Sequence, residues 1–158
     1  MERYRIGFGG GCHWCTEAVF LALPGIDRVE MGYIASLPPD DAFSEAVRVT
    51  YDPKVIELTD LIKVHLDSHA STSDHKMRKK YRSAIYTFSQ AQFHEVQRIM
   101  DRLQKQASTS FVTRVLSFAD FMPADQKYQN YYQKNPNLPF SKRHIEPKLK
   151  KIKNNYPA

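Results

Sequence analysis

The sequence predicts an α+β fold, with helices packed over a mostly antiparallel sheet. Its 158 residues fall in the range of about 100–200 residues that makes one domain with one real core. Hydrophobic residues make up 42% and charged residues 25%, near globular averages, which excludes wholesale disorder and a fibrous chain. The elements read in the order βαββαβαβα, and neighbouring strands without a helix between them argue against strict βαβ winding.

Tyr4 to Phe8 reads as the first strand, followed by the turn Gly9-Gly10-Gly11. From Cys12 to Leu23 the pattern is helical: Cys12, Cys15, Val19 and Leu23 recur every three or four residues, and Pro24-Gly25 ends the run. Arg28 to Ile34 alternates as a strand, and residues 37–42 form a short loop. Glu45 to Tyr51 alternates more cleanly, with Ala46, Arg48 and Thr50 on one face and Val47, Val49 and Tyr51 on the other. Leu58 to Ser68 is helical, with Leu58, Leu61, Ile62 and Leu66 inward and Thr59 as a helix-start residue. Ser71 to Lys80 is polar and basic, a loop. Ser83 to Phe88 is a strand, and Ser89 caps a long helix to Gln106 that turns Phe93, Val96, Ile99, Met100 and Leu103 to one side. Phe111 to Phe118 is the last strand, and Asp125 to Gln133 a short aromatic-rich helix. The domain is expected over residues 1–140, with residues 141–158 a basic, solvated C-terminal tail.

The net charge of +6 is a local property. Between Lys142 and Lys153 six Lys or Arg face one acid, Glu146, and a second cluster comprises Lys76, Arg78, Lys79, Lys80 and Arg82. The tail lacks regularly interleaved aromatics, so a solvated basic segment outweighs a nucleic-acid-binding arm. No run of about 18 or more apolar residues is present to span a bilayer. The first residues lead straight into a strand, without the apolar run of a signal peptide. The cytoplasm, where thiols stay reduced, is the expected compartment, and a monomer the expected state.

Two cysteines are too few for a disulfide scaffold, and Cys12 and Cys15 are too close together for a bond between them to staple a fold. Their setting is more informative. A glycine turn entering a helix presents backbone N–H groups and the positive end of the helix dipole, which favours thiolate at Cys12. At i, i+3 on that helix Cys15 comes within reach, so the pair can cycle between dithiol and disulfide. Two other readings stand beside this one. The cysteines can be inert core residues, or zinc ligands with His65 and His69, which have helical i, i+4 spacing. The gap from Cys15 to His65 is about four times that of a compact Cys2His2 finger. The strand–glycine–cysteine–helix context favours reactive thiol chemistry.

Around Gly10-Gly11-Cys12-His13-Trp14 the sequence resembles the methionine sulfoxide reductase A family, the peptide-methionine (S)-S-oxide reductases, whose signature there is Gly-Cys-Phe-Trp-Gly. The resemblance continues through Leu23-Pro24-Gly25, Gly32-Tyr33, the run from Glu45 to Pro53, Tyr81-Arg82-Ser83-Ala84-Ile85-Tyr86, the run from Ala124 to Tyr131, and Lys134-Asn135-Pro136. It spans residues 4–136 in order. It implies a ferredoxin-like α/β plait and thiol-dependent reduction of methionine-S-sulfoxide, free or in peptides. By the same resemblance Cys12 is the nucleophile, Glu45 the acid and Tyr81 a hydrogen-bond donor to the sulfoxide oxygen, while His13 and Trp14 line the substrate pocket. No bound cofactor or metal is implied, only an external reductant, thioredoxin or another dithiol.

The chain departs from the family pattern at defined places. His13 stands where the family has Phe. The loop between Tyr33 and Glu45 is shorter and has lost a second oxygen-binding tyrosine, whose hydroxyl Phe43 cannot replace. Lys76 occupies a family aspartate position, and the C-terminal recycling cysteines are absent. Cys15 replaces the family glycine and is the only protein thiol left to resolve a Cys12 sulfenic acid. A thiol-disulfide oxidoreductase or a divergent sulfoxide reductase on the same scaffold is the competing reading, and a nucleic-acid-binding module using the basic tail the weakest.

Overall fold

In a computed structural model the described residues are 3–11, 13–68, 82–125 and 129–155. They form β1 (Tyr4–Gly9), α1 (His13–Leu21), β2 (Ile26–Ser36), β3 (Ser44–Tyr51), α2 (Leu58–Asp67), β4 (Ala84–Thr87), α3 (Gln90–Gln106), β5 (Arg114–Pro123) and α4 (Tyr131–Lys134). A π-helical turn over Ser141–Ile145 then leads into α5 (Glu146–Asn155).

The mixed α/β composition agrees with the sequence reading, but the sheet does not stay open as a ferredoxin-like plait would. It closes into a barrel in the order β1-β3-β2-β5-β4. Four of the pairings, β1 with β3, β1 with β4, β2 with β3 and β2 with β5, are antiparallel. The fifth, β4 with β5, is parallel, and α3 supplies the crossover that a parallel pair requires. The last strand runs from Arg114 to Pro123 rather than from Phe111 to Phe118. Its C-terminal half pairs with β2 (Tyr33 opposite Met122, Ile34 opposite Phe121), and it is this pairing that closes the sheet.

Strand alternation separates two cores. Ile34, Ala46, Ala84, Tyr86 and Leu116 form a cluster made only of strand residues, with Phe118 and Phe121 beside it; it fills the barrel, as side chains do in small barrels. Gly7 makes room there, since a Cβ on it would stand 2.8 Å from Ile34 Cδ1 and 3.0 Å from Tyr86 Cβ. The opposite strand faces carry Ile6, Phe8, Val47, Val49 and Ile85 against Val19, Phe20, Leu61, Ile62, Val96 and Leu103 of the helices. Within this outer core Phe8 and Phe20 stack, with ring centroids 4.7 Å apart and planes at 9°, an arrangement that contributes about 0.5–1.5 kcal/mol beyond its area.

The helices follow their apolar stripes. In α3 the Ser89 side chain accepts a hydrogen bond from the Gln92 amide, a cap that stabilises a helix by about 1 kcal/mol. In α2 Leu58, Leu61, Ile62 and Leu66 are buried, but the residue before the first turn is Glu57, without a side-chain cap. Thr59 instead accepts from Arg102 of α3 at 3.1 Å. The loop expected over 71–80 and part of the helix expected over 125–133 lie outside the described residues; what is described of the latter is α4.

The C-terminal segment is not a bare solvated tail. Ile145 and Ile152 are buried, and Leu149 packs against both the outer core and a smaller cluster of Cys15, Ala18 and Ile145. Residues 145, 149 and 152 form an i, i+4, i+7 stripe inside the Lys-rich sequence, and the density of charge hides it from a composition reading.

Candidate functional site

The site is assembled where β1 ends. Gly9 is its last residue, and Gly10, at φ 139°, lies in a backbone region that side chains with a Cβ rarely adopt. The chain turns there and enters α1 at His13. Cys12 lies outside the described residues, as does Tyr81; of His13 the backbone is described as the first residue of α1.

Three segments converge on Gly9. It pairs with Ala46 of β3 on one side and Ala84 of β4 on the other. The approach is so close that a Cβ on Gly9 would meet the carbonyl oxygens of Arg82 at 2.9 Å and Glu45 at 3.1 Å. The structure thereby brings the entry to α1, the predicted acid Glu45 and the residue following Tyr81 to one edge of the barrel. Behind the turn, Nε2 of His65 lies 2.7 Å from the Gly9 carbonyl oxygen. A carbonyl can only accept, so this nitrogen carries the proton. The ring of His65 also packs on Phe8, with centroids 4.8 Å apart. This contact gives His65 a place in the fold, and among the described residues no group of His, Cys, Asp and Glu is placed to hold a metal ion.

Glu45 is 7% exposed near the start of β3, with Tyr33 of β2 as its direct cross-strand partner. Direct partners share a sheet face, with Cβ atoms roughly 5 Å apart. The next element along the edge is held by Arg82. Its backbone N–H donates to Ser44 Oγ at 2.9 Å, and its guanidinium donates to Tyr86 Oη at 3.0 Å and to the Ile34 carbonyl at 3.1 Å. Burial inside the barrel pushes the Tyr86 phenol pKa up, so Tyr86 remains a neutral anchor for Arg82.

Trp14 and Cys15 face the C-terminal segment. The Trp14 indole meets Phe140 edge-on at 5.3 Å and packs against both clusters at the base of α1. Cys15 is 3% exposed among Ala18, Ile145, Trp14, Tyr132, Phe140 and Leu149, and its Sγ lies 3.9 Å from the His144 carbonyl oxygen. On the next residues of α1, Glu17 is 2% exposed and accepts from the Asn130 amide at 2.8 Å. That bond ties the helix to the α4 region, where Asn130 has φ 59°.

Sequence reasoning named Glu45, Trp14 and Cys15, and the structure gives each a defined place. It missed the supporting roles of Gly9, Ser44, His65 and Arg82. Nothing in local spacing marks Ser44 or His65, because their partners lie 38 and 56 residues away.

The profile of the peptide methionine sulfoxide reductase family matches residues 4–158. The peptide methionine sulfoxide reductase MsrA of Deinococcus radiodurans is 33% identical, over 94% of this chain and 80% of that protein. The MsrA of Sulfolobus acidocaldarius is 30% identical, over 94% and 93%. Among solved structures, reduced Mxr1 of Saccharomyces cerevisiae superposes with a TM-score of 0.74 at 25% identity, covering 87% of this chain and 88% of Mxr1. Mxr1 in complex with Trx2 also matches, with a TM-score of 0.64 at 24% identity over 82% and 85%.

Proposed function

The chain belongs to the peptide methionine sulfoxide reductase family, and on that premise we propose that it reduces methionine-S-sulfoxide, free or in peptides, through Cys12. The observation that supports this most directly is the convergence on Gly9: the turn leading to Cys12, the Glu45 strand and Arg82, the residue after Tyr81 in the chain, meet at one barrel edge.

In the proposed reaction the Cys12 thiolate attacks the sulfoxide sulfur while the Glu45 carboxyl donates a proton to the sulfoxide oxygen. Tyr81 donates a hydrogen bond to that oxygen, and Trp14 with His13 lines the space for the methyl group. The sulfur–oxygen bond breaks, and the oxygen passes to Cys12 as a sulfenic acid. The substrate sulfur gains two electrons and the cysteine sulfur loses two, leaving methionine. Cys15 then attacks the Cys12 sulfur and expels water, closing a Cys12–Cys15 disulfide. An external dithiol returns the pair to two thiols. A thioredoxin-like protein suits this last step, since Mxr1 is seen in complex with Trx2.

The test is an assay on separate S and R epimers of a methionine sulfoxide peptide, with dithiothreitol as reductant. Turnover confined to the S epimer and abolished by Cys12→Ser is the expected result. Turnover of neither epimer, together with reduction of a model disulfide, overturns the reading in favour of a thiol-disulfide oxidoreductase.

A further inference from the structure

The C-terminal segment carries part of its charge directly over Cys15. Its π-helical turn buries the first and last residues, Ser141 and Ile145, and exposes the three between them, Lys142, Arg143 and His144. Residues four apart share a helix face, so both ends of the turn point inward while the basic residues point out. On the inner side the His144 carbonyl oxygen lies 3.9 Å from Cys15 Sγ, and Phe140, Ile145 and Leu149 pack around the cysteine. The outer side of the same turn is therefore a basic surface one layer above the buried thiol.

This cover is held in place. The Ser141 hydroxyl donates to the Asn135 carbonyl, Phe140 meets the Trp14 indole edge-on, and Lys151 Nζ donates at 3.2 Å to the Asp67 carbonyl at the end of α2. Glu146, the only acidic side chain of residues 141–158, lies 3.8 Å from Lys150 on the next turn of α5. The turn over the thiol itself contributes only positive charge.

We propose that this turn is the docking surface for the reductant, a protein dithiol with acidic residues around its reactive sulfur. The proposal rests on the sulfoxide-reductase reading and deepens it. One partner thiolate attacks the Cys15 sulfur of the Cys12–Cys15 disulfide, which forms an intermolecular disulfide and releases the Cys12 thiolate. The partner's second thiolate then attacks its own bridged sulfur and releases the Cys15 thiolate. Two electrons pass to the pair, the partner ends as a disulfide, and its two thiol protons restore Cys12 and Cys15. A small thiol needs no surface for this, but a protein bringing its sulfur to Cys15 first meets Lys142 and Arg143. Opposite charge speeds such an encounter, and the apolar contacts of the turn with Cys15 give way as the partner seats. Phosphates of a nucleic acid would also be drawn to these cations, yet their place above the redox thiol favours a thiol partner.

The experiment compares the full chain with a Lys142→Glu, Arg143→Glu double variant, and with a control, Arg98→Glu, Lys105→Glu, which makes the same change of net charge at exposed positions of α3. Each is assayed on a methionine-S-sulfoxide peptide, once with dithiothreitol and once with a thioredoxin of net negative charge, kept reduced by its reductase. The 142/143 variant is expected to lose about tenfold in kcat/KM for thioredoxin, while its rate with dithiothreitol and the control's rates stay within about twofold of wild type. The wild-type value for thioredoxin should also fall as salt rises from about 20 to about 300 mM, and fall less in the variant. Equal kcat/KM for variant and wild type, an equal loss in the control, or no salt dependence would each overturn the proposal. So would tight binding of a short DNA duplex that the variant loses while its thioredoxin kinetics stay unchanged, which would make nucleic acid the occupant. The thiol pair is also oxidised directly with diamide, and its reduction by thioredoxin followed without any sulfoxide. A chain that turns over neither epimer, yet shows the same charge dependence in this step, fails the functional reading and keeps the docking surface. Sulfoxide turnover with a charge-independent reduction step, or no disulfide to reduce, does the reverse.

Discussion

Nε2 of His65 and the carbonyl oxygen of Gly9 are 2.7 Å apart, with His65 1% exposed. The bond ties α2 to the last residue of β1, immediately before the turn that leads to Cys12. A buried carbonyl that loses its donor costs about 1–3 kcal/mol. His65→Leu is therefore expected to lower the thermal midpoint by about 2–12 °C, at about 2–4 °C per kcal/mol for a chain of this size. His65→Gln, which keeps an N–H donor, should recover part of that loss. Equal midpoints for Leu and wild type in a thermal melt would show that the bond is not holding the turn.

Gly9→Ala tests the crowding on the other side of the same residue. The added methyl meets two carbonyl oxygens, Arg82's and Glu45's, and neither belongs to a flexible side-chain end. Overpacking of this kind costs about 1–3 kcal/mol. The displaced segments are those assigned to catalysis, so kcat should fall by more than the loss of folded protein explains. Activity measured per folded molecule, well below the melting transition, separates the two effects.

Glu45→Gln keeps the shape of the buried side chain and removes its ability to give up a proton. General acid catalysis contributes about 10²–10⁴-fold, so steady-state assays should show kcat reduced by at least about 10²-fold with KM little changed. Wild-type kcat in this variant would place the acid elsewhere.

Cys15 sits beneath Phe140 and Ile145, and reagents in bulk water should reach it slowly. Native protein treated with an alkylating agent is expected to label Cys15 only on the timescale of opening, and to label it readily in denaturant. If Cys15 resolves the sulfenic acid, one turnover without reductant should leave a 12–15 disulfide visible by mass spectrometry. Cys15→Ser should release one equivalent of methionine and stop at the sulfenic acid. Rapid native alkylation counts against the buried placement of Cys15, and no disulfide after turnover counts against its resolving role.

The pair Glu30–Arg48 makes two hydrogen bonds, at 2.9 and 3.0 Å, and the Arg48 guanidinium lies 4.3 Å from the Phe121 ring centroid. Hydrogen bonding from Arg48 holds the Glu30 carboxyl below its ordinary value. A carboxyl whose folded pKa is lowered stabilises the fold fully above its unfolded pKa, and this contribution is lost as pH falls through the folded value. The difference in thermal midpoint between wild type and Glu30→Gln should therefore hold steady from pH 7 to about pH 5 and shrink below about pH 4. A difference that stays constant to pH 3 would rule out the pair as the source.

Much of the local structure is legible without coordinates. The alternation of Ala46, Arg48 and Thr50 against Val47, Val49 and Tyr51 assigns the two faces of β3, and the Val96, Ile99, Met100, Leu103 stripe assigns the buried side of α3. Short-range periodicity carries this information because each side chain's direction follows from its position along one element. The glycine turn before Cys12 is legible in the same way, as a demand for unusual backbone.

Closure of the sheet, the fit of the C-terminal segment over Cys15, and the support of the site are not. Each depends on partners far apart in the chain: β2 with the far half of β5, Cys15 with Ile145 and Phe140, Gly9 with His65, Ser44 with Arg82. Residue type does not reveal such contacts, since a serine before a strand or a histidine within a helix is equally at home in solvent. Sequence pattern identifies the chemistry available here, a thiol pair after a glycine turn and a carboxyl on the third strand. Packing of the barrel and its helices determines which backbone atoms hold those groups, because hydrogen bonds between remote segments form only once the intervening chain has folded around its two cores.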